Sequence, residues 1–124
     1  MAKKILIIDD TDSDRKIVKR FLTKAGYEDI LMAESGEQGV AMALSEKPDL
    51  VITDTMMTGI DGFETCRQIR EKCSSEEVKI IVTTGAIDAI DAVKARKMGA
   101  NDYCVKTSDL IPLMTAVNNL IGGE

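Results

Sequence analysis

The chain has 124 residues and a formal net charge of −5, with 44% hydrophobic, 30% charged and only 3% aromatic residues. That length suffices for one domain, residues 1–124, around an aliphatic core. An acidic balance with no Lys/Arg-rich run argues against direct nucleic-acid binding, and no apolar run approaches membrane-spanning length.

Taken in order, the chain alternates short aliphatic runs with helical patterns. Lys4–Asp9 reads as a first strand buried on both faces, with no signal-peptide pattern before it. Thr11, Asp12 and Ser13 offer N-caps for a helix whose apolar positions are Ile17, Val18, Phe21, Leu22 and Ala25, stopped by Gly26. Ile30–Ala33 is a weak second strand. Ser35 caps a second helix with Val40, Ala43 and Leu44 on its apolar side, and Pro48 separates it from the next strand. Leu50, Val51 and Ile52 form a β-favouring run that ends at Asp54. Thr58, Gly59, Asp61 and Gly62 then supply turn chemistry. A third helix carries Phe63, Cys66 and Ile69, and Val78–Val82 is a β-branched fourth strand ending in Thr83, Thr84 and Gly85. Ile90, Val93 and Met98 are the expected anchors of a fourth helix closed by Gly99. Tyr103, Cys104 and Val105 form a fifth strand ending at Lys106. The last helix has the clearest apolar stripe: Leu110, Leu113, Met114, Val117, Leu120 and Ile121. Pro112 fits only in its first turn, which favours Asp109 as N-cap, and Gly122 and Gly123 end it.

Five β-α units in series argue for a parallel sheet covered on both faces through right-handed crossovers. Cys66, Cys73 and Cys104 are odd in number and lack CxxC spacing, the pattern of reduced thiols in a cytoplasmic protein.

In a parallel sheet all carboxyl ends share one edge, where open α/β sheets place their ligands. Here that edge receives Asp9 and Asp10 from strand one, Asp54 from strand three, Thr84 from strand four and Lys106 from strand five. Taken singly, each has a plainer explanation: a turn, a helix cap, a local hydroxyl bond, a solvated lysine. Their joint placement at four strand ends outweighs those readings. Three close carboxylates repel one another unless a cation compensates. Oxygen-only ligands in a chain without histidine point to a hard ion, Mg²⁺. Three negative charges, one lysine and one divalent cation sum to zero. Such a site suits phosphoryl transfer to a carboxylate, with the metal and Lys106 neutralising phosphoryl oxygens and Thr84 donating to one of them. Asp54, alone at the central strand, is the candidate nucleophile.

The stretches ILIIDD (5–10), DLVITDTMMTGIDG (49–62), IIVTTG (80–85) and GANDYCVK (99–106) together resemble the response-regulator receiver domain over the whole chain. The resemblance implies a flavodoxin-like doubly wound (βα)5 fold with strand order 2-1-3-4-5. It implies Asp54 as phosphoacceptor, with Asp10, Asp54 and the backbone carbonyl of Met56 on Mg²⁺ and Asp9 assisting. Thr84 would be the switch hydroxyl, Tyr103 the switch aromatic and Lys106 the phosphate-binding lysine. The donor would be a phosphohistidine on a sensor histidine kinase or histidine phosphotransfer protein. A downstream protein target would dock on the face of helix 4, strand 5 and helix 5 of a monomer or weak phosphorylation-dependent dimer. Such a protein is no enzyme beyond its own phosphoryl transfer and dephosphorylation. Two departures stand out: Thr107 follows Lys106, and Thr58 stands in the loop after Asp54, where the family commonly has proline.

Two other classes compete. A haloacid-dehalogenase-like phosphatase resembles DxDxT, but Asp54-Thr55-Met56 lacks the second aspartate. A pseudo-receiver would use the same fold purely for protein binding, against which all reactive positions are filled. A dinucleotide-binding domain is disfavoured, since no G-x-G-x-x-G follows the first strand.

Overall fold

The computed structural model describes residues 2–86 and 88–122; Gly123, expected to help end the last helix, lies outside them. The elements are β1 (Lys4–Ile8), α1 (Asp12–Lys24), β2 (Asp29–Ala33), α2 (Gly36–Glu46), β3 (Leu50–Asp54), α3 (Gly62–Arg70), β4 (Lys79–Thr84), α4 (Ala89–Lys97), β5 (Asp102–Val105) and α5 (Ile111–Ile121). All strand pairs are parallel and the order is β2-β1-β3-β4-β5, as expected for a flavodoxin-like sheet.

The strands are aliphatic on both sides because both sides are covered. Ile5, Ile7, Leu50, Ile52 and Ile81 face α1 and α5, packing on Val18, Leu22, Leu113 and Val117. Leu6, Ile8, Val51, Ile80 and Val82 face α2, α3 and α4, packing on Ala43, Cys66, Ile69 and Ala95. The three cysteines are free and buried. Burial pushes the Cys66 thiol up to about 11 and the Cys104 thiol up to about 12, so both stay protonated at neutral pH. No described helix is long and apolar enough to cross a membrane.

Several boundaries move. β1 stops at Ile8 rather than Asp9, although the Asp9 N–H still reaches the Ala33 carbonyl at 3.2 Å. β4 starts at Lys79 rather than Val78 and, as expected, ends in Thr83 and Thr84, which pair with Cys104 and Val105. Gly26 takes φ +101° just past α1, and Ser35 accepts the Gln38 N–H at 3.1 Å, so both helix signals hold.

Two expectations fail. Ile90 and Val93 do not anchor α4: they are 78% and 54% exposed, and the helix's one buried residue is Ala95. The inward side follows the spacing Asp91/Ala92, Ala95, Met98, out of phase with the two large residues. Asp109 is not the N-cap of α5. Leu110 is, held at φ +53° because its side chain is committed to the core at 2% exposure. The Asp109 carboxylate still caps the helix, accepting the Ile111 N–H at 3.0 Å.

Candidate functional site

The strand register delivers the chemistry to one edge. Ile8 pairs with Thr53 and Asp54 with Thr83, while Thr84 pairs with Val105. The residues that follow these pairs leave the same end of the sheet.

Asp54 ends β3 half-buried. Its Oδ1 accepts the Thr55 N–H at 2.9 Å, and no donor contacts Oδ2 among the described residues. Behind it, the Gly62 N–H donates to the Thr55 carbonyl at 2.8 Å. A Cβ on Gly62 would collide with the Asp54 carbonyl oxygen, so the start of α3 closes against the end of β3 only because that residue is glycine. Asp61 caps α3 by accepting the Glu64 N–H at 2.8 Å.

Lys106 leaves β5 and donates to Asp9 Oδ2 at 3.0 Å and to Asp14 Oδ2 at 3.2 Å. Asp9 is 4% exposed, and its other oxygen accepts the Thr11 N–H at 3.0 Å. Burial alone would pull the Lys106 ammonium down; Asp54, Asp9 and Asp14 outweigh it and hold it above its ordinary value. Burial pushes the Asp54 carboxyl up. The nearby Asp9 and Asp14 charges add to that, against the pull of Lys106 and the Thr55 N–H.

Asp10 is exposed and turned toward the β3–α3 loop. Its Oδ2 accepts both the Thr58 N–H at 2.8 Å and the Thr58 hydroxyl at 3.1 Å, which hold its carboxyl below the usual range. Met56, whose carbonyl is an expected ligand, lies in the same loop with its side chain 79% exposed. Among the described residues no three acidic or thiol groups are gathered closely enough to hold a metal. The donor set itself suits Mg²⁺: hard carboxylate oxygens at Asp9, Asp10 and Asp54 and the Met56 carbonyl of the loop to which Asp10 is bonded.

Thr84 is turned to its own loop. Its hydroxyl donates to the Ala86 carbonyl at 3.0 Å and accepts the Ala86 N–H at 3.3 Å. Tyr103 packs against the core on the α4 side, and its hydroxyl is buried without a hydrogen-bond partner among the described residues. The peptide between Lys106 and Thr107 is trans.

Three contributors were missed by sequence reasoning. Asp14 shares Lys106, but an acid in a helix's first turn reads as a dipole partner. Arg15, 7% exposed, donates to the Asp9 carbonyl at 2.6 Å and pairs with Asp12 at 2.8 Å. Nothing in the pattern marks that arginine as buried. Thr58 reads as turn chemistry, and only the fold brings it to Asp10, 48 residues away.

A five-stranded parallel sheet in this order, with an aspartate, a hydroxyl and a lysine at the ends of β3, β4 and β5, has the architecture of a receiver domain. A family model of the response regulator receiver domain matches residues 5–118, and the chain belongs to that family. Protein PilH of Pseudomonas aeruginosa is 34% identical over 120 residues, covering 97% of this chain and 98% of PilH. AfsQ1 of Streptomyces coelicolor, a transcriptional regulatory protein, is 40% identical over 102 residues; the match covers 82% of this chain but only 44% of AfsQ1. Among solved structures, TrrA of Thermotoga maritima in complex with Mg²⁺–BeF has a TM-score of 0.85 at 34% identity, covering 96% of this chain and 99% of that one. The Vibrio cholerae chemotaxis protein CheY4 has a TM-score of 0.87 at 26% identity, covering 98% and 100%.

Proposed function

We propose that this receiver domain takes a phosphoryl group onto Asp54 in a Mg²⁺-dependent reaction and switches a protein-binding face in response. The donor is a phosphohistidine of a sensor histidine kinase or histidine phosphotransfer protein, and the setting is the cytoplasm. The observation that carries this reading is the pairing of a half-buried Asp54, one oxygen oriented and the other without a donor among the described residues, with a lysine held beside it by Asp9 and Asp14. The likeness to TrrA, whose structure holds Mg²⁺–BeF, supports the same reading.

The Asp54 Oδ–P bond forms as the donor's P–N bond breaks, and that bond's electron pair leaves with the imidazole. The Thr55 N–H fixes the carboxylate's rotation, so the second oxygen faces the incoming phosphorus. Lys106 supplies positive charge where the phosphoryl oxygens arrive. Thr84 must leave Ala86 to donate to one of them. Asp10, Asp54 and the Met56 carbonyl, assisted by Asp9, would hold Mg²⁺, whose charge would neutralise the remaining phosphoryl oxygens. The protein acts on no separate substrate; it catalyses its own transfer and dephosphorylation.

Incubation with a small phosphodonor and Mg²⁺, read by intact mass, tests this. One phosphoryl group is expected on the wild type and none on Asp54→Asn. Labelling of Asp54→Asn at the wild-type rate would sink the assignment. A wild type that gains no mass points instead to a pure protein-interaction module.

A further inference from the structure

We propose that Thr58 gates the metal site: it clasps the Asp10 carboxylate, and Mg²⁺ has to take that carboxylate from it in order to bind. The inference rests on the Mg²⁺-dependent reading above and concerns how tightly the site accepts the ion.

The clasp is made of two donors on one oxygen. The Thr58 N–H lies 2.8 Å and the Thr58 hydroxyl 3.1 Å from Asp10 Oδ2. Together they fix both the position and the rotation of the carboxylate. Bonds to an ionised acceptor are the stronger kind, so their loss is a real term against the cation. The other carboxylates cannot compensate. Asp9 is spent on Lys106 and the Thr11 N–H, and one oxygen of Asp54 is spent on the Thr55 N–H. Among the described residues, Asp10 is thus the carboxylate bonded only to Thr58, and no three acidic groups are gathered closely enough to hold a metal. Thr58 also lies on the loop that carries the Met56 carbonyl. Opening the clasp and presenting that carbonyl are movements of one segment.

The clasp depends on residue type. Proline at this position has no N–H and no hydroxyl and can make neither bond. Valine keeps the N–H and the β-branch but loses the hydroxyl. Thr58 thus sets the Mg²⁺ concentration at which the site fills, and with it the ion's availability for phosphoryl transfer.

Mg²⁺ titration of the unphosphorylated protein, followed by calorimetry and by ¹⁵N amide shifts, tests the gate without any activity readout. Thr58→Pro should bind Mg²⁺ about tenfold more tightly than wild type and Thr58→Val about threefold. In the wild type, the Thr58 amide resonance should move upfield as Mg²⁺ saturates, because its N–H loses a charged acceptor. Thermal melts establish that each variant is folded, and Thr58→Val carries the test if the proline variant is not. Equal or weaker binding by the folded variants, or a Thr58 amide unmoved at saturation, overturns the gate while leaving Mg²⁺ binding intact. A wild type with no saturable Mg²⁺ binding overturns the metal reading and the gate with it.

Discussion

α3 and α4 are both nine-residue helices on the same face of the sheet, and each follows a strand that carries a site residue. α3 buries Phe63, Thr65, Cys66 and Ile69 and begins with Gly62 pressed against the Asp54 carbonyl. α4 buries Ala95 alone and leaves Ile90 and Val93 in solvent. The two ends of α4 also differ. At its C-terminal end, Arg70 donates to the Gly99 carbonyl at 2.8 Å and the Cys66 thiol lies 3.3 Å from the Met98 carbonyl. At its N-terminal end, Asp88 caps the helix by accepting the Ile90 N–H, a bond within α4 itself. The helix behind Asp54 is thus built as an anchor. The helix behind Thr84 is held, among the described residues, at its C-terminal end and by Lys94 lying over the Phe63 ring at 4.6 Å, so its N-terminal turn, next to Thr84, is the part expected to move.

The largest expected effect tests the anchor. Ile69 is fully buried, so Ile69→Ala should cost about 3 kcal/mol in urea unfolding. Val93→Ala on α4 should stay within about 0.5 kcal/mol of wild type. Comparable losses at the two positions would erase the distinction between the helices.

Next comes the glycine contact. Gly62→Ala forces a Cβ into the Asp54 carbonyl and should cost about 1–3 kcal/mol while slowing phosphoryl labelling, because the strand end has to shift. Gly85→Ala, placed just after Thr84, meets no atom within 4 Å and should leave stability nearly unchanged. Chemical unfolding and intact-mass time courses on both variants separate a tight site wall from a loose one.

The anchor was far more legible in the sequence than the movable helix. Continuous aliphatic strands, the Ser35 cap and the Gly26 stop announce themselves by local rules, as do the polar groups at the strand ends. α4 misled because its largest apolar residues are not its inward ones; a close-packed alanine does the burying, and hydrophobic size gives no hint of that. Leu110 misled for the opposite reason: core packing overrode the turn chemistry that favoured Asp109. The contacts of Asp10 with Thr58 and of Lys106 with Asp14 join distant segments through exposed or partly buried polar groups. No periodicity encodes them, so only the fold reveals them.

A smaller effect concerns the charge that α3 and β3 hold in place. The Asp54 carboxyl sits above its ordinary value of 3.8, first through burial and then through Asp9 and Asp14. Between the unfolded and folded values the native state holds more protons than the unfolded one. Stability therefore falls as pH rises through that window, and the loss is complete above it. With Mg²⁺ chelated, Asp54→Asn should raise Tm by a few degrees at neutral pH. That advantage should shrink as pH falls toward 3.8. A difference independent of pH would show that Asp54 carries no such strain.

The finest test asks whether the loosely held helix is the one that responds. Thr84 is bonded to Ala86, and drawing its hydroxyl to a phosphoryl group breaks that bond at the segment leading into α4. Tyr103 already lies inward, on the α4 side of the core, with a buried hydroxyl lacking a partner among the described residues. A buried hydroxyl without a partner is costly, so Tyr103 is the side chain expected to shift if Thr84 moves. The phosphoryl group biases this equilibrium only by its differential interaction with the two packings. Amide exchange with and without beryllofluoride and Mg²⁺ reads the shift directly. Without the mimic, α4 should exchange faster than α3. With it, the changes should concentrate in residues 85–105, within the face formed by α4, β5 and α5. Exchange altered only in α1 and α2, with 85–105 unchanged, would remove α4 as the responsive element. Equal changes in α3 and α4 would show instead that the anchored helix moves too.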